Sequence, residues 1–243
     1  MKKSISWISA VKKIALFIFF LCTGMSFLVG QEQYREEKRQ GDLQELHISE
    51  RETTVAETPE TILRGVCPDY LGWLKVPDVG IDLPVVQGED NEYYLTHDAE
   101  GNRSRYGALF ADCKVKKDGN LLIYGHHMKN GSMFGRLTEL MNKETFEATP
   151  LIRWEDDEGE ADYTVFAVLV IPGSEEDPDY FPVRKYLGDL SGRDRTELLE
   201  QLEERAVRWR KLNFYETDQF MFLLTCDYTK ENGRLLVCAR RTS

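Results

Sequence analysis

Near the end of the chain, Phe222–Arg241 reads FLLTCDYTKENGRLLVCARR, and how this stretch folds decides how the remainder is read. Two apolar runs, Phe222–Leu224 and Leu235–Val237, flank a polar segment that carries the turn signal Asn232-Gly233. That pattern predicts two antiparallel strands joined by residues 227–233. Cys226 then closes the first strand and Arg234 opens the second, so the pairing brings a thiol beside a guanidinium. Both residues have a bland reading. A free cysteine packs as a small, well-buried hydrophobe, and an arginine at a strand entrance is ordinarily a solvated charge. Their juxtaposition also has a chemical reading, in which the thiol is a nucleophile and the arginine holds an oxyanion or a substrate carbonyl.

Working back from this stretch, the chain is rich in short strands from Thr61 onward. LGWLKVPDVGIDLPVVQ, YGALFADCKV, GNLLIYGHH and LIRWEDDEGEADYTVFAVLVIP each set apolar runs between Gly, Pro, Asp or Asn turns. Strands at this spacing predict a mainly β domain, a sandwich or a barrel, over residues 61–243. One helix interrupts it at 194–211, where Leu198, Leu199, Leu202, Ala206 and Trp209 fall at helical spacing behind an Asp194/Glu197 cap. A second, short helix is expected at Met133–Asn142.

The N-terminal part differs in kind. Residues 1–13 carry Lys2, Lys3, Lys12 and Lys13, and Ile14–Gly30 is an uncharged, mostly apolar run of 17 residues. That is the short limit for a membrane-spanning helix, which takes about 20. With every basic residue before the run, the N-terminus is expected in the cytoplasm and all that follows Gly30 outside. A cleaved signal peptide is the rival reading, although the run is longer than a usual signal core and no A-x-A site follows it. Both readings export the domain. Residues 31–60 are polar and charged, as expected of a stalk, with a weak helix bearing Leu43, Leu46 and Ile48 on one side.

Charge and cysteine count narrow the chemistry. A formal net charge of −11 argues against nucleic-acid binding, which needs a basic face. Besides Cys22 in the apolar run, the chain has Cys67, Cys113, Cys226 and Cys238, fewer than a disulfide scaffold carries. The count leaves room for one or two bridges, among Cys67, Cys113 and Cys238 for instance, but Cys113 and Cys238 lie in or beside strand-like runs and free thiols are expected. A reactive thiol needs a base or a nearby cation, because an isolated one titrates near 8.5. Four histidines are available. His47 is expected to be solvated in the stalk, and His97, in YYLTHDAEGN, to be a structural turn residue. His126 and His127 follow a strand that ends at Gly125, a position where functional side chains concentrate. Adjacent side chains diverge and no second metal-ligand pair is spaced to help them, which disfavours zinc.

These residues resemble a family. LLTCDY resembles the T-L-x-T-C signature of sortases, YGHHM their strand-end histidine motif, and GRLLVCARR the segment that holds their arginine. YLGWLKVPDVGIDLPVVQGEDNEYYLTHD, GALFAD and the helix near 194–211 are similar to class B members in particular. The resemblance covers about residues 65–243 and implies a closed sortase-type β-barrel. It further implies that Cys226 is the nucleophile, His126 the acid/base and Arg234 the ligand of the oxyanion or substrate carbonyl. Asn91, Tyr94, Thr225 and Asp227 would contact or orient substrate. Leu224 stands where some class B members carry Ser, so a hydroxyl contact from that position would be absent.

On this resemblance the chain is a membrane-anchored transpeptidase of a Gram-positive cell envelope that cleaves exported proteins after the Thr of an N-P-x-T-[NG] type sorting motif. A peptidoglycan-precursor amine or a pilin lysine would then accept the acyl group. No cofactor is needed for these steps, and no acidic cluster suggests a calcium site. Two other readings remain open: a cysteine hydrolase using the same residues with water, and a non-enzymatic envelope-binding module on a stalk.

Overall fold

The computed structural model describes residues 2–52, 60–116, 119–148, 151–188, 190–227 and 232–242. They form two compact units that divide between Glu45 and Leu46. The first unit belongs to helix α1, Lys2–Glu52, which runs unbroken through Ile14–Gly30. Pairs three and four residues apart support its polar part, Arg39 and Gln40 both donating to the Glu36 carboxylate. Among the described residues no helix is long and apolar enough to cross a membrane.

The second unit is the domain. After a short helix, α2 (Glu60–Val66), come β1 (Tyr70–Val76), β2 (Ile81–Val86), β3 (Leu109–Ala111) and β4 (Leu121–Tyr124). Helix α3 (Lys143–Ala148), β5 (Leu151–Asp156), β6 (Gly159–Pro172), α4 (Gly192–Arg205) and β7 (Ala206–Trp209) follow, and β8 (Phe220–Asp227) and β9 (Gly233–Arg241) end the chain. The sheet order is β5-β1-β2-β3-β4-β8-β9-β6-β7, and an added pairing of β5 with β6 closes the first eight strands into a ring. The barrel is mixed: β2–β3 and β4–β8 run parallel, the other pairs antiparallel. β6 is long enough to serve two neighbours along one edge, β5 over Gly159–Thr164 and β7 over Ala167–Leu169.

The barrel closes because its inward positions are apolar at strand period. Leu74, Val85, Ile123, Leu223 and Val237 share one face of the sheet by register and are wholly withdrawn from water. The expected mainly β barrel is thus present, with corrections at the helices. The helix expected at 194–211 ends at Arg205, and Ala206 and Trp209 lie in β7, paired to Leu169 and Ala167. Ala206 is already extended, with φ −67° and ψ 126°. The cap is Ser191, one turn before the expected Asp194/Glu197: its hydroxyl accepts from the Asp194 N–H at 3.1 Å and donates to the Asp194 carboxylate at 2.6 Å. The helix expected at Met133–Asn142 is a 3-10 segment, Gly135–Met141, and α3 begins after it.

His47 also departs from expectation. It is buried, its ring stacked on Trp73 with centroids 4.0 Å apart, and Nε2 is 3.5 Å from Glu155. A polar stretch hides this, because the residue that buries it lies on β1 and is distant in sequence.

Candidate active site

Three neighbouring strands bring the candidate residues together. In the β8–β9 hairpin Cys226 pairs directly with Arg234, and Asp227 with Gly233. Directly opposed residues of an antiparallel pair present their side chains on the same face, about 5 Å apart at Cβ. β4 runs parallel to β8 on its other side, Tyr124 beside Leu224, and the Gly125 N–H donates to the Leu224 carbonyl at 3.2 Å. The chain therefore leaves β4 through Gly125 and His126 alongside Thr225 and Cys226.

Here the surface opens into a groove of about 300 Å³. Cys226, His126 and Arg234 line it together with Asn91, Leu95, Phe110, Tyr124, Gly125, Leu224 and Thr225. The two histidines diverge as strand geometry requires. His126 faces the groove and its Nε2 donates to the Leu95 carbonyl at 2.8 Å. His127 turns away, and its Nδ1 donates to the carbonyl of Cys226 at 2.9 Å, which ties the end of β4 to the nucleophile candidate's own backbone. Arg234 is half-buried and bends one Nη onto the Gly233 carbonyl at 2.9 Å.

The four candidates for substrate contact fare differently. Asn91 lines the groove while bridging two groups behind it, donating to Asp112 at 2.8 Å and accepting from the Cys113 N–H at 2.8 Å. Thr225 also lines it but is buried, and among the described residues its hydroxyl has no partner. Asp227 ends β8; its side chain lies outside the described residues. Tyr94 is a correction: it is buried, is absent from the groove lining, and donates its hydroxyl to Asp69 at 2.7 Å. DNEYYL offers two adjacent tyrosines, and it is Tyr93 that is exposed.

Asp112 is a further member of the site, its carboxylate fully buried behind the groove. It accepts from Asn91, from the Tyr124 hydroxyl at 2.8 Å and from Arg184 at 2.7 Å. Burial alone would raise its pKa, but the Lys114 N–H and then Tyr124, Arg184 and Asn91 outweigh that and hold it below the usual carboxylate range. The same network pushes the Tyr124 phenol up, burial first and Asp112 second. A lone Asp after the apolar run GALFA was the only sequence signal. Tyr124, by contrast, sits inside YGHHM and its groove position follows from the motif.

All five cysteines are unpaired. Cys67 is pushed up to about 12 by burial, with Glu100 and Asp98 adding to it, and wholly buried Cys238 is raised by burial as well. Thiols so protected stay protonated and are poor nucleophiles. Cys226 is half-exposed and is the one cysteine in the groove lining.

A β-barrel with a cysteine, a histidine and an arginine converging on one groove is the arrangement of a thiol acyltransferase, and comparison with known proteins names the family. The sortase-domain family model matches residues 74–242. The chain belongs to the sortase family, in its class B, whose members are cysteine transpeptidases. It is 27% identical over 238 residues to Sortase B of Listeria monocytogenes, spanning 93% of this chain and 94% of that protein. Sortase B of Clostridium perfringens is 28% identical with a TM-score of 0.67, covering 76% of this chain and all of the solved one (100%). Sortase B of Bacillus anthracis is 26% identical with a TM-score of 0.73 and coverage of 88% and 99%.

Proposed function

We propose that Cys226, His126 and Arg234 carry out the transpeptidation, on exported proteins bearing an N-P-x-T-[NG] type motif. The observation that supports this most is the pairing of Cys226 with Arg234 across one groove that His126 also lines. The Cys226 thiol passes its proton to His126 as its sulfur attacks the Thr carbonyl, forming a C–S bond and placing negative charge on the carbonyl oxygen. Arg234, always charged and able to offer two donors in a fixed fork, stabilises that oxygen. The tetrahedral centre collapses with loss of the C–N bond, and His126 hands its proton to the departing amine, which leaves a thioester. An acceptor amine attacks the thioester, gives its proton back to His126 and releases Cys226 as thiolate. The acceptor is a peptidoglycan-precursor amine or a pilin lysine. Asn91, Thr225 and Asp227 hold or orient the peptide, and Leu224 supplies apolar contact where a hydroxyl would otherwise stand.

The domain works outside the cell, held by residues 14–30 as a single-pass anchor with a cytoplasmic N-terminus and a stalk between. Incubation with a library of sorting peptides and amine acceptors, read by mass spectrometry, tests the whole scheme. Joined products are expected from the native protein and none from Cys226→Ala, a change too small to disturb packing. Cleavage without joining would make the protein a hydrolase, and retained turnover in Cys226→Ala would remove the nucleophile assignment.

A further inference from the structure

In nucleophile–histidine sites a third group, commonly a carboxylate, fixes which ring nitrogen carries the proton. Here the His126 Nε2 meets a backbone carbonyl, that of Leu95, at 2.8 Å. A carbonyl can only accept, so Nε2 carries the hydrogen and Nδ1 is the bare nitrogen of the neutral ring. We propose that the Tyr93–Leu95 turn is the orienter of His126, and that Tyr94 and Gly107 are positioning residues that keep its carbonyl in place.

Several independent contacts fix this turn. The Asp90 carboxylate accepts the N–H groups of Glu92 and Tyr93, both at 2.8 Å, and the Tyr93 ring stacks on His97 with centroids 4.0 Å apart. Tyr94 drives the turn into the domain: its ring is buried, its hydroxyl reaches Asp69 at 2.7 Å, and its carbonyl accepts from Ala108 at 3.0 Å. Gly107 sits where these parts meet. It has φ +62°, and a methyl group there would lie 2.5 Å from the Tyr94 carbonyl oxygen, 3.1 Å from the His126 ring and 3.2 Å from the Leu95 oxygen. Ring, acceptor and turn thus converge on a space that only glycine leaves open. Gly101 supplies a matched control. Its φ is +84°, yet the nearest atom to a methyl there is the Tyr93 hydroxyl at 3.6 Å, so alanine costs similar backbone strain without touching His126.

The proposal takes its catalytic meaning from His126 being the proton carrier, but the tautomer is a property of the ring and is measured separately. Long-range 1H–15N spectra of the labelled protein, at a pH above the ordinary histidine range, are expected to show His126 with a protonated Nε2 and a bare Nδ1. His126→Gln assigns the signals. Gly107→Ala should give averaged tautomers and a turnover about 10–100-fold lower with little change in KM, the scale of a misplaced catalytic group. Gly101→Ala should keep both signature and turnover. Tyr94→Phe, which loses only the Asp69 bond, should shift His126 toward the averaged signature and guards against Gly107→Ala failing to fold. A native ring already averaged or protonated at Nδ1 would overturn the proposal, as would an unchanged signature in both Gly107→Ala and Tyr94→Phe. The expected spectra together with full turnover in His126→Gln would uphold the orientation and refute the catalytic role instead.

Discussion

Arg234 packs against Gly173, a residue outside the groove lining. At Gly173 a methyl group would stand 2.9 Å from the Arg234 Cζ and 2.9 Å from the Asn232 carbonyl, so the guanidinium approaches the backbone there too closely for a side chain. Arg234→Lys keeps the charge and loses the fork, and turnover should fall by roughly 10²–10³, the cost of one oxyanion donor. Gly173→Ala should fall in the same direction by about tenfold, since the fork is displaced and not removed. Iodoacetamide labelling of Cys226 should survive both changes if Arg234 acts after attack begins. Steady-state kinetics beside labelling checks this, and loss of labelling would make Arg234 a thiolate stabiliser. Asp112 contributes a pH response at this scale. Its folded pKa is depressed, so its contribution to stability is present above the ordinary Asp value of about 3.9 and is lost as pH falls through the lower folded value. Asp112→Asn should cost roughly 3 kcal/mol at neutral pH, because it leaves Arg184 and several donors facing an amide. It should also flatten the fall in Tm below about pH 4, as followed by thermal melts across an acid series. Cys226 and Arg234 were legible in sequence because a hairpin register is local arithmetic. Tyr94 and Asp112 were not, because their roles rest on Asp69, Arg184 and Asn91, which reach them across the fold.

Helix α4 shows where local periodicity stops being a guide. Leu198 and Leu202 are buried as the helical stripe predicts, and the stripe continues through Ala206 and Trp209. The chain nevertheless turns to strand there, because the edge of β6 beyond its pairing with β5 carries unpaired backbone groups that β7 satisfies over Ala167–Leu169. No window of sequence contains that demand. The start of the helix was within reach: Ser191-Gly-Arg-Asp194 is a capping pattern placed just before the apolar periodicity. Ser191→Ala should cost about 1 kcal/mol, lowering Tm by roughly 2–4 °C for a domain of this size. Turnover should not change, since the groove lining comes from the β2–β3 connection, β3, β4, β8 and β9. Differential scanning calorimetry paired with a peptide-cleavage assay checks both halves, and a fall in turnover would couple α4 to the site.

Across the whole molecule, the strands could be read one by one but their closure could not. The β5–β6 hairpin seals a ring that opens with β1, and the parallel pairs β2–β3 and β4–β8 join strands far apart in sequence. The family motifs supplied that architecture, and hydrophobic patterning supplied only its class. The N-terminal segment poses the converse problem, since its reading rests wholly on sequence. Ile14–Gly30 has no charge in 17 residues, the four lysines before it are all on one side, and the polar residues 31–60 follow. In a bilayer a helix of that length would reach about 25 Å, the short limit for the hydrocarbon core, and the lysines would hold its start on the cytoplasmic side. Full-length protein should therefore sediment with membranes, resist extraction by high salt and alkali, and dissolve in detergent. It should keep Lys2 at or next to its N-terminus. Protease added outside intact protoplasts should digest the catalytic domain and spare a short N-terminal fragment containing Lys2–Lys13. A soluble mature form beginning near Gln31 would instead identify the apolar run as a cleaved signal peptide, exporting the same domain without a tether.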